Sequence, residues 1–234
     1  MTQAISDLPS PSPTFGAPIQ GQVNRIIEAL ITSLPQPGHL TADQQRAIIR
    51  RYTAVLEGNF IYWMTGAYLA AKSEQALAII RENLHEEVRD CHPGMLRRFA
   101  LAARSIPTDS DALAVQRDLM NVRLFIGRLS CVPLIIMMAF FEGFIQRFMH
   151  YLAELAAGQG SVEREYTDVH GVCDVAHTQE LFRALAAEMA LNPPESDMNL
   201  LEGVFLLRAL LQSIINGPAQ NGFGTIRSAT PLSV

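Results

Sequence analysis

His170, Asp174 and His177 stand four and then three residues apart in the stretch His170-Gly171-Val172-Cys173-Asp174-Val175-Ala176-His177. At about 100° per residue, a helix puts these three side chains in a stripe roughly 60° wide. Two imidazoles and one carboxylate on one stripe form a metal-ligand set, and that mixture suits non-haem iron in particular. The alternative is two unrelated histidines on a wet face with an aspartate between them. The chain has only six His, and the meeting of two of them with an Asp at helical spacing favours the metal reading.

Other segments offer further donors. The run Asn83-Leu84-His85-Glu86-Glu87 ends a helical pattern, and His92 follows just before Pro93. The residue before a proline is pushed out of helical geometry, so His92 belongs at a helix end or turn. Glu86 or Glu87 on the last turn and His92 beyond it can converge on one ion; a solvated charged helix end is the plain alternative. Glu142 closes the run Leu134-Ile135-Ile136-Met137-Met138-Ala139-Phe140-Phe141. Its helical neighbours Ile135, Met138, Ala139, Ile145 and Met149 are all apolar, so a partner has to come from another helix. A carboxylate in such surroundings is costly to bury unless it is paired or metal-bound. Glu57 shares a face with Ile61, Met64 and Tyr68, and is either a buried ligand or a paired structural charge. Three His and at least two further carboxylates exceed what one ion needs. Carboxylates from facing helices are a common way for a bundle to hold two metals close together.

Helices must position these groups. Val23, Ile26, Ile27, Leu30 and Ile31 give the apolar face of a first helix over 21–33. Thr41 with Gln44 makes a capping box that opens a long helix to about residue 70. Ser73 caps a third helix ending near Asp90. A short helix over 94–103 follows, then helices over 111–129, 133–157, 162–191 and 195–215, separated by Pro107, Gly158-Gln159-Gly160 and Asn192-Pro193-Pro194. No strand alternation and no internal repeat is visible, so the fold class is all α, a bundle of about seven helices over 21–216. Residues 1–20 carry four prolines among Ser and Gly and read as disordered, and 217–234 as a loose tail.

Bulk properties exclude several classes. The chain has 234 residues, 49% of them apolar, and a net charge of −5. It lacks the basic footprint of a nucleic-acid binder. Cys91, Cys131 and Cys173 show no paired spacing, which fits a reducing cytoplasm. No basic n-region with an apolar h-region opens the chain. The apolar run from Val132 to Phe141 falls short of the ~20 residues of a membrane span, so no membrane is expected as a partner.

The set Glu…His, Glu, His-x3-Asp-x2-His resembles the haem-oxygenase-like diiron oxidases, whose fold is shared with haem oxygenase, TenA and PqqC; the CADD-like branch is the most similar. The match runs in order and spacing from about Arg51 to Ala187, and its most specific motif is His170-x3-Asp174-x2-His177. The resemblance implies a haem-oxygenase-like bundle holding two iron ions, with manganese as the other choice, and O2 as co-substrate. It implies Glu87, His92, Glu142, His170, Asp174 and His177 as ligands. Glu86 is the neighbouring alternative to Glu87, since the link to His92 is shorter here than in the family, and Glu57 is the candidate for a ligand on the first core helix. TenA-type hydrolases place a nucleophilic Cys about two turns before the position of Glu142. That place is Ile135-Ile136-Met137 here, with Cys131 further back. The first helix has no His to bind haem.

Such a centre implies oxidation of a small, largely apolar acid, an amino-acid or fatty-acid derivative, in a pocket walled by Phe60, Ile61, Trp63, Met64, Tyr68, Met138, Phe141 and Ile145. Arg123, Arg128 and Arg147 are candidates to hold its carboxylate, or else charges of the helix surfaces. A homodimer is expected from the resemblance. Two other classes stay open: a CADD-like protein-interaction module, and a metal-free binding or hydrolytic protein of the TenA/PqqC kind.

Overall fold

Thr41 accepts the backbone N–H of Gln44, and the Gln44 side chain accepts that of Thr41, so the expected capping box sets the start of the longest helix. The computed structural model describes residues 16–217. Its helices are α1 (Gly16–Thr32), α2 (Ala42–Ala70), α3 (Glu74–Arg89), α4 (His92–Ala102), α5 (Asp109–Ile126), α6 (Cys131–Ala157), α7 (Glu165–Leu191) and α8 (Glu202–Asn216). A single 3-10 turn, Pro37–His39, bridges α1 and α2. The described residues are thus all α with no strand, in eight helices that correspond to the eight segments expected from the sequence.

Several boundaries differ from expectation. The first helix already includes residues 16–20, which the proline content assigned to a disordered segment. The expectations for 1–15 and 218–234 lie outside the described residues. α7 begins at Glu165 rather than near Val162, and α8 at Glu202 rather than Glu195. Asn192-Pro193-Pro194 ends α7, and the chain makes turns before resuming a helix.

α6 is the hub. It packs most heavily on α7 and also meets α1, α2 and α8. Phe140, Phe144 and Phe148 on α6 are each at most 1% exposed, and burying each is worth roughly 1.5–3 kcal/mol relative to exposure. Among the described residues α6 is also the one helix long and apolar enough to cross a membrane, but 83% of its most apolar window is buried inside the bundle. Core packing explains that composition. α3 and α4 lie across one side, on α2 and α7. Buried Glu188 of α7 ties down the start of α3 by accepting the backbone N–H groups of Lys72 and Ser73, the latter at 2.8 Å. Five helices, α2, α3, α4, α6 and α7, therefore enclose one space.

Candidate metal centre

The turn between α3 and α4 builds the first half of the site. Cys91 adopts a left-handed conformation, φ 56°, which reverses the chain so that α4 starts on His92. His92 Nδ1 then meets Glu87 Oε1, on the last turns of α3, at 2.7 Å. On α7, His170 Nδ1 donates to the Tyr166 carbonyl at 2.8 Å. The rings of His92 and His170 meet edge-on, 4.5 Å between centroids. Glu87, His92 and His170 are all buried, and one donor atom from each lies within 4.8 Å of the others.

The second half lies one turn further along α7. Cys173, Asp174 and His177 form a second group with the same spacing of donor atoms. Cys173 Sγ donates to Asp174 Oδ1 at 3.2 Å. His177 Nε2 meets Glu86 Oε2 at 2.8 Å. Its other nitrogen, Nδ1, stands 3.9 Å from both Glu142 Oε1 and Asp174 Oδ1.

The hydrogen bonds of the three histidines follow one rule. Each turns one ring nitrogen to an oxygen that only accepts: a Glu87 or Glu86 carboxylate, or the Tyr166 carbonyl. That nitrogen must carry the hydrogen, which leaves the opposite nitrogen of the neutral ring bare. Metal-binding histidines are held in this way, with the outer N–H on a carboxylate or carbonyl and the inner lone pair presented to the ion.

The electrostatics point in the same direction. Glu87, Glu142 and Asp174 are at most 4% exposed. Burial, then the nearby charges of Asp174 and Glu87, pushes the Glu142 carboxyl well above the usual range. Burial likewise raises Asp174, against its hydrogen bond from Cys173. Burial drives His170 down to about 4, so it is neutral at pH 7. Burial also lowers His92, but the hydrogen bond and charge of Glu87 outweigh it and the net shift is upward. Glu142 Oε1, Asp174 Oδ2 and His177 Nδ1 are buried without a hydrogen-bond partner among the described residues. Among the described residues no Lys or Arg lines the cavity between these groups. Clustered buried carboxylates with no cation are costly, and a bound metal ion would supply the missing charge. His177 Nδ1, Glu142 Oε1 and Asp174 Oδ1 are near enough to one another that a single ion could be shared among them.

The stretch 49–211 matches a family described as iron-containing redox enzyme. The chain belongs to that family. It is an oxidoreductase of the haem-oxygenase-like group. No curated protein and no solved structure matches it. The donor set of imidazoles and carboxylates is one that iron accepts, so the residues present fit the metal that the family description names.

Within this iron-containing redox enzyme, the structure gathers Glu87, His92, Glu142, His170, Asp174 and His177 into one region. Glu86, one third exposed, holds the outer nitrogen of His177. Glu57 is placed elsewhere: it pairs with Arg97 of α4 near the surface and does not line the cavity. Of the expected walls, Phe60, Ile61, Phe141 and Ile145 line the cavity. Trp63, Met64 and Met138 are fully buried in the core instead, and Tyr68 is half-buried outside the lining. They lie along their helices from the lining residues, where neighbouring helices cover them. None of the three arginines reaches the cavity. Arg123 donates to Asn59 and lies over Tyr62, Arg128 pairs with Glu202, and Arg147 with Glu28. Sequence reasoning missed Leu56, Pro93, Leu96 and Tyr166 in the lining. Tyr166 falls one turn before His170, so extending the histidine stripe backward would have found it.

Proposed function

We propose that this chain is a non-haem diiron, O2-dependent oxidase or oxygenase acting on a small, largely apolar acid, an amino-acid or fatty-acid derivative. One observation carries the reading: the bare nitrogens and unpartnered carboxylate oxygens of α4, α6 and α7 converge beside buried Glu87 of α3, with no cationic side chain among the described lining residues. Glu87, His92 and His170 would hold one ion, Asp174 and His177 the other, with Glu142 between the two groups. Bound ferrous iron, or manganese in its place, would supply the electrons and the Lewis acidity that let O2 react.

The chain's own residues account for the remaining requirements. Glu87, Glu86 and the Tyr166 carbonyl fix the tautomers of His92, His177 and His170. Leu56, Phe60, Ile61, Leu96, Phe141 and Ile145 keep bulk water away from the polar groups they surround. The cavity, about 30 Å³, holds one or two water-sized molecules. An acid of amino-acid size therefore enters only if the walls from α2 and α4 part. The reading extends to a cytoplasmic homodimer, which sedimentation of the purified protein would test.

The deciding experiment loads chelator-treated protein with ferrous iron under anaerobic conditions and measures iron per chain. O2 uptake is then followed against a panel of amino acids and fatty acids. Two iron per chain and uptake that depends on one acid are expected. Less than one iron per several chains, with no uptake on any acid, would overturn the proposal and favour an interaction module.

A further inference from the structure

Tyr52 of α2 and Tyr166 of α7 place their hydroxyls 2.7 Å apart, and their hydrogens do not balance. Each phenol brings one hydrogen, and the pair uses only one of them. Among the described residues neither hydroxyl makes another hydrogen bond, so one hydrogen is left over. Were Tyr166 the donor, the spare hydrogen would belong to Tyr52. Tyr52 is 0% exposed and packs on Phe148, and a donor stranded there keeps its full desolvation cost. With Tyr52 as the donor, the spare hydrogen belongs to Tyr166, which lines the cavity beside Glu87, His92, Glu142, His170 and Asp174. The second orientation puts the spare hydrogen on the one of the two residues that borders the cavity.

Tyr166 is fixed in place. Its carbonyl accepts from His170 Nδ1, its ring lies 4.3 Å from the His170 ring, and Phe99 flanks it at 6.0 Å. Among the described residues it is also the one in the lining that is polar without being a carboxylate or an imidazole. A tyrosine phenol keeps its hydrogen in the neutral range, so the hydroxyl is a donor there.

We propose that Tyr166 donates the hydrogen bond that holds a carboxylate oxygen of the molecule entering the cavity, and that Tyr52 is the positioning residue that aims it. The inference rests on the reading of the site as one that takes an acid. It gives the cavity the carboxylate anchor that none of the arginines supplies.

Two measurements on Tyr52→Phe, Tyr166→Phe and the double variant test it. The first is melting of the metal-free proteins. Tyr166→Phe strands the Tyr52 hydrogen and should melt roughly 3–6 °C lower than wild type. Tyr52→Phe should fall by less than half as much, and the double variant should recover part of the loss. Reversed ranking of the single variants would overturn the donor direction. The second is calorimetric titration of the anaerobic, iron-loaded proteins with formate, the smallest carboxylate. Tyr166→Phe should bind formate roughly tenfold or more weakly with iron content unchanged, and Tyr52→Phe should fall between it and wild type. Equal affinity in wild type and Tyr166→Phe, or no formate binding by wild type, would overturn the proposal. Failure of iron to load would overturn the diiron reading instead, and the melting ranking, which needs no iron, still decides the donor direction.

Discussion

Glu86 and Glu87 are consecutive in α3 yet hold different histidines: Glu86 meets His177 of α7 at 2.8 Å and Glu87 meets His92 of α4 at 2.7 Å. Successive residues point about 100° apart on a helix, and α3 ends where α4 and α7 both pass. One helix end thus orients imidazoles from two others.

The two glutamates should differ in what they cost when removed. Glu87→Ala removes a buried oxygen donor and the partner of His92 together, and should leave the chain with about half its iron or less. Glu86→Ala removes only the outer partner of His177 and should weaken iron binding by about 10–100-fold. Competition of each variant with a calibrated chelator ranks them; equal or reversed losses would show that Glu86 contacts the ion directly.

His170→Ala and His177→Ala should lose iron while keeping the fold. The bundle rests on the apolar faces around α6 rather than on the site, so far-UV circular dichroism should match wild type. Ferrous iron should raise the melting temperature of wild type, because it binds only the folded state, and should raise it little in either variant. Wild-type iron content in both variants would sink the assignment.

Glu142→Gln should stabilise the metal-free protein, by on the order of 1–3 kcal/mol near neutral pH, while abolishing iron binding. The pH dependence follows from the sign of the shifts. Glu142 and Asp174 carry pKa values raised above their unfolded references of about 4. Their protonated forms suit the folded chain, so this part of the stability is complete below about pH 4 and is lost as pH rises through the raised values. The advantage of Glu142→Gln over wild type should therefore widen between pH 5 and pH 8 in denaturant melts with chelator present. A constant gap would contradict the buried-charge account.

Gly203→Ala tests the seam between α5 and α8. A methyl group there would come within 2.7 Å of Phe125 Cζ and 3.1 Å of Met137 Cβ. The ring has to move against a packed core, so a loss of about 1–3 kcal/mol is expected from urea unfolding. Neither Gly203 nor Phe125 lines the cavity, so iron content should hold.

What the sequence disclosed depended on how far apart the interacting residues lie. The stripe His170, Asp174, His177 and the capping box at Thr41 are local, and helical geometry alone places them. The burial of Glu142 was legible because every neighbour on its own helix is apolar. Glu57 stayed open between ligand and paired charge for the opposite reason: its partner Arg97 is 40 residues away, and nothing in α2 announces it. The Tyr52–Tyr166 pair spans 114 residues and becomes visible only once α2 is packed near α7. The arginines near the expected pocket could be placed only when Asn59, Glu202 and Glu28 were seen beside them.

The position of α6 in the chain has a consequence for biosynthesis. This helix leaves the ribosome before α7 and α8, which cover much of it. From Ala157 to Asn216 is 59 residues, and at about 5–20 residues per second α6 waits roughly 3–12 s for its last cover. For that interval the nascent chain presents a long helix, apolar throughout from Val132 to Phe141, whose one buried acid, Glu142, is the residue least able to stay in an apolar aggregate. A chaperone's grip on the emerging polypeptide should be tightest there, and should slacken once the histidines of α7 arrive.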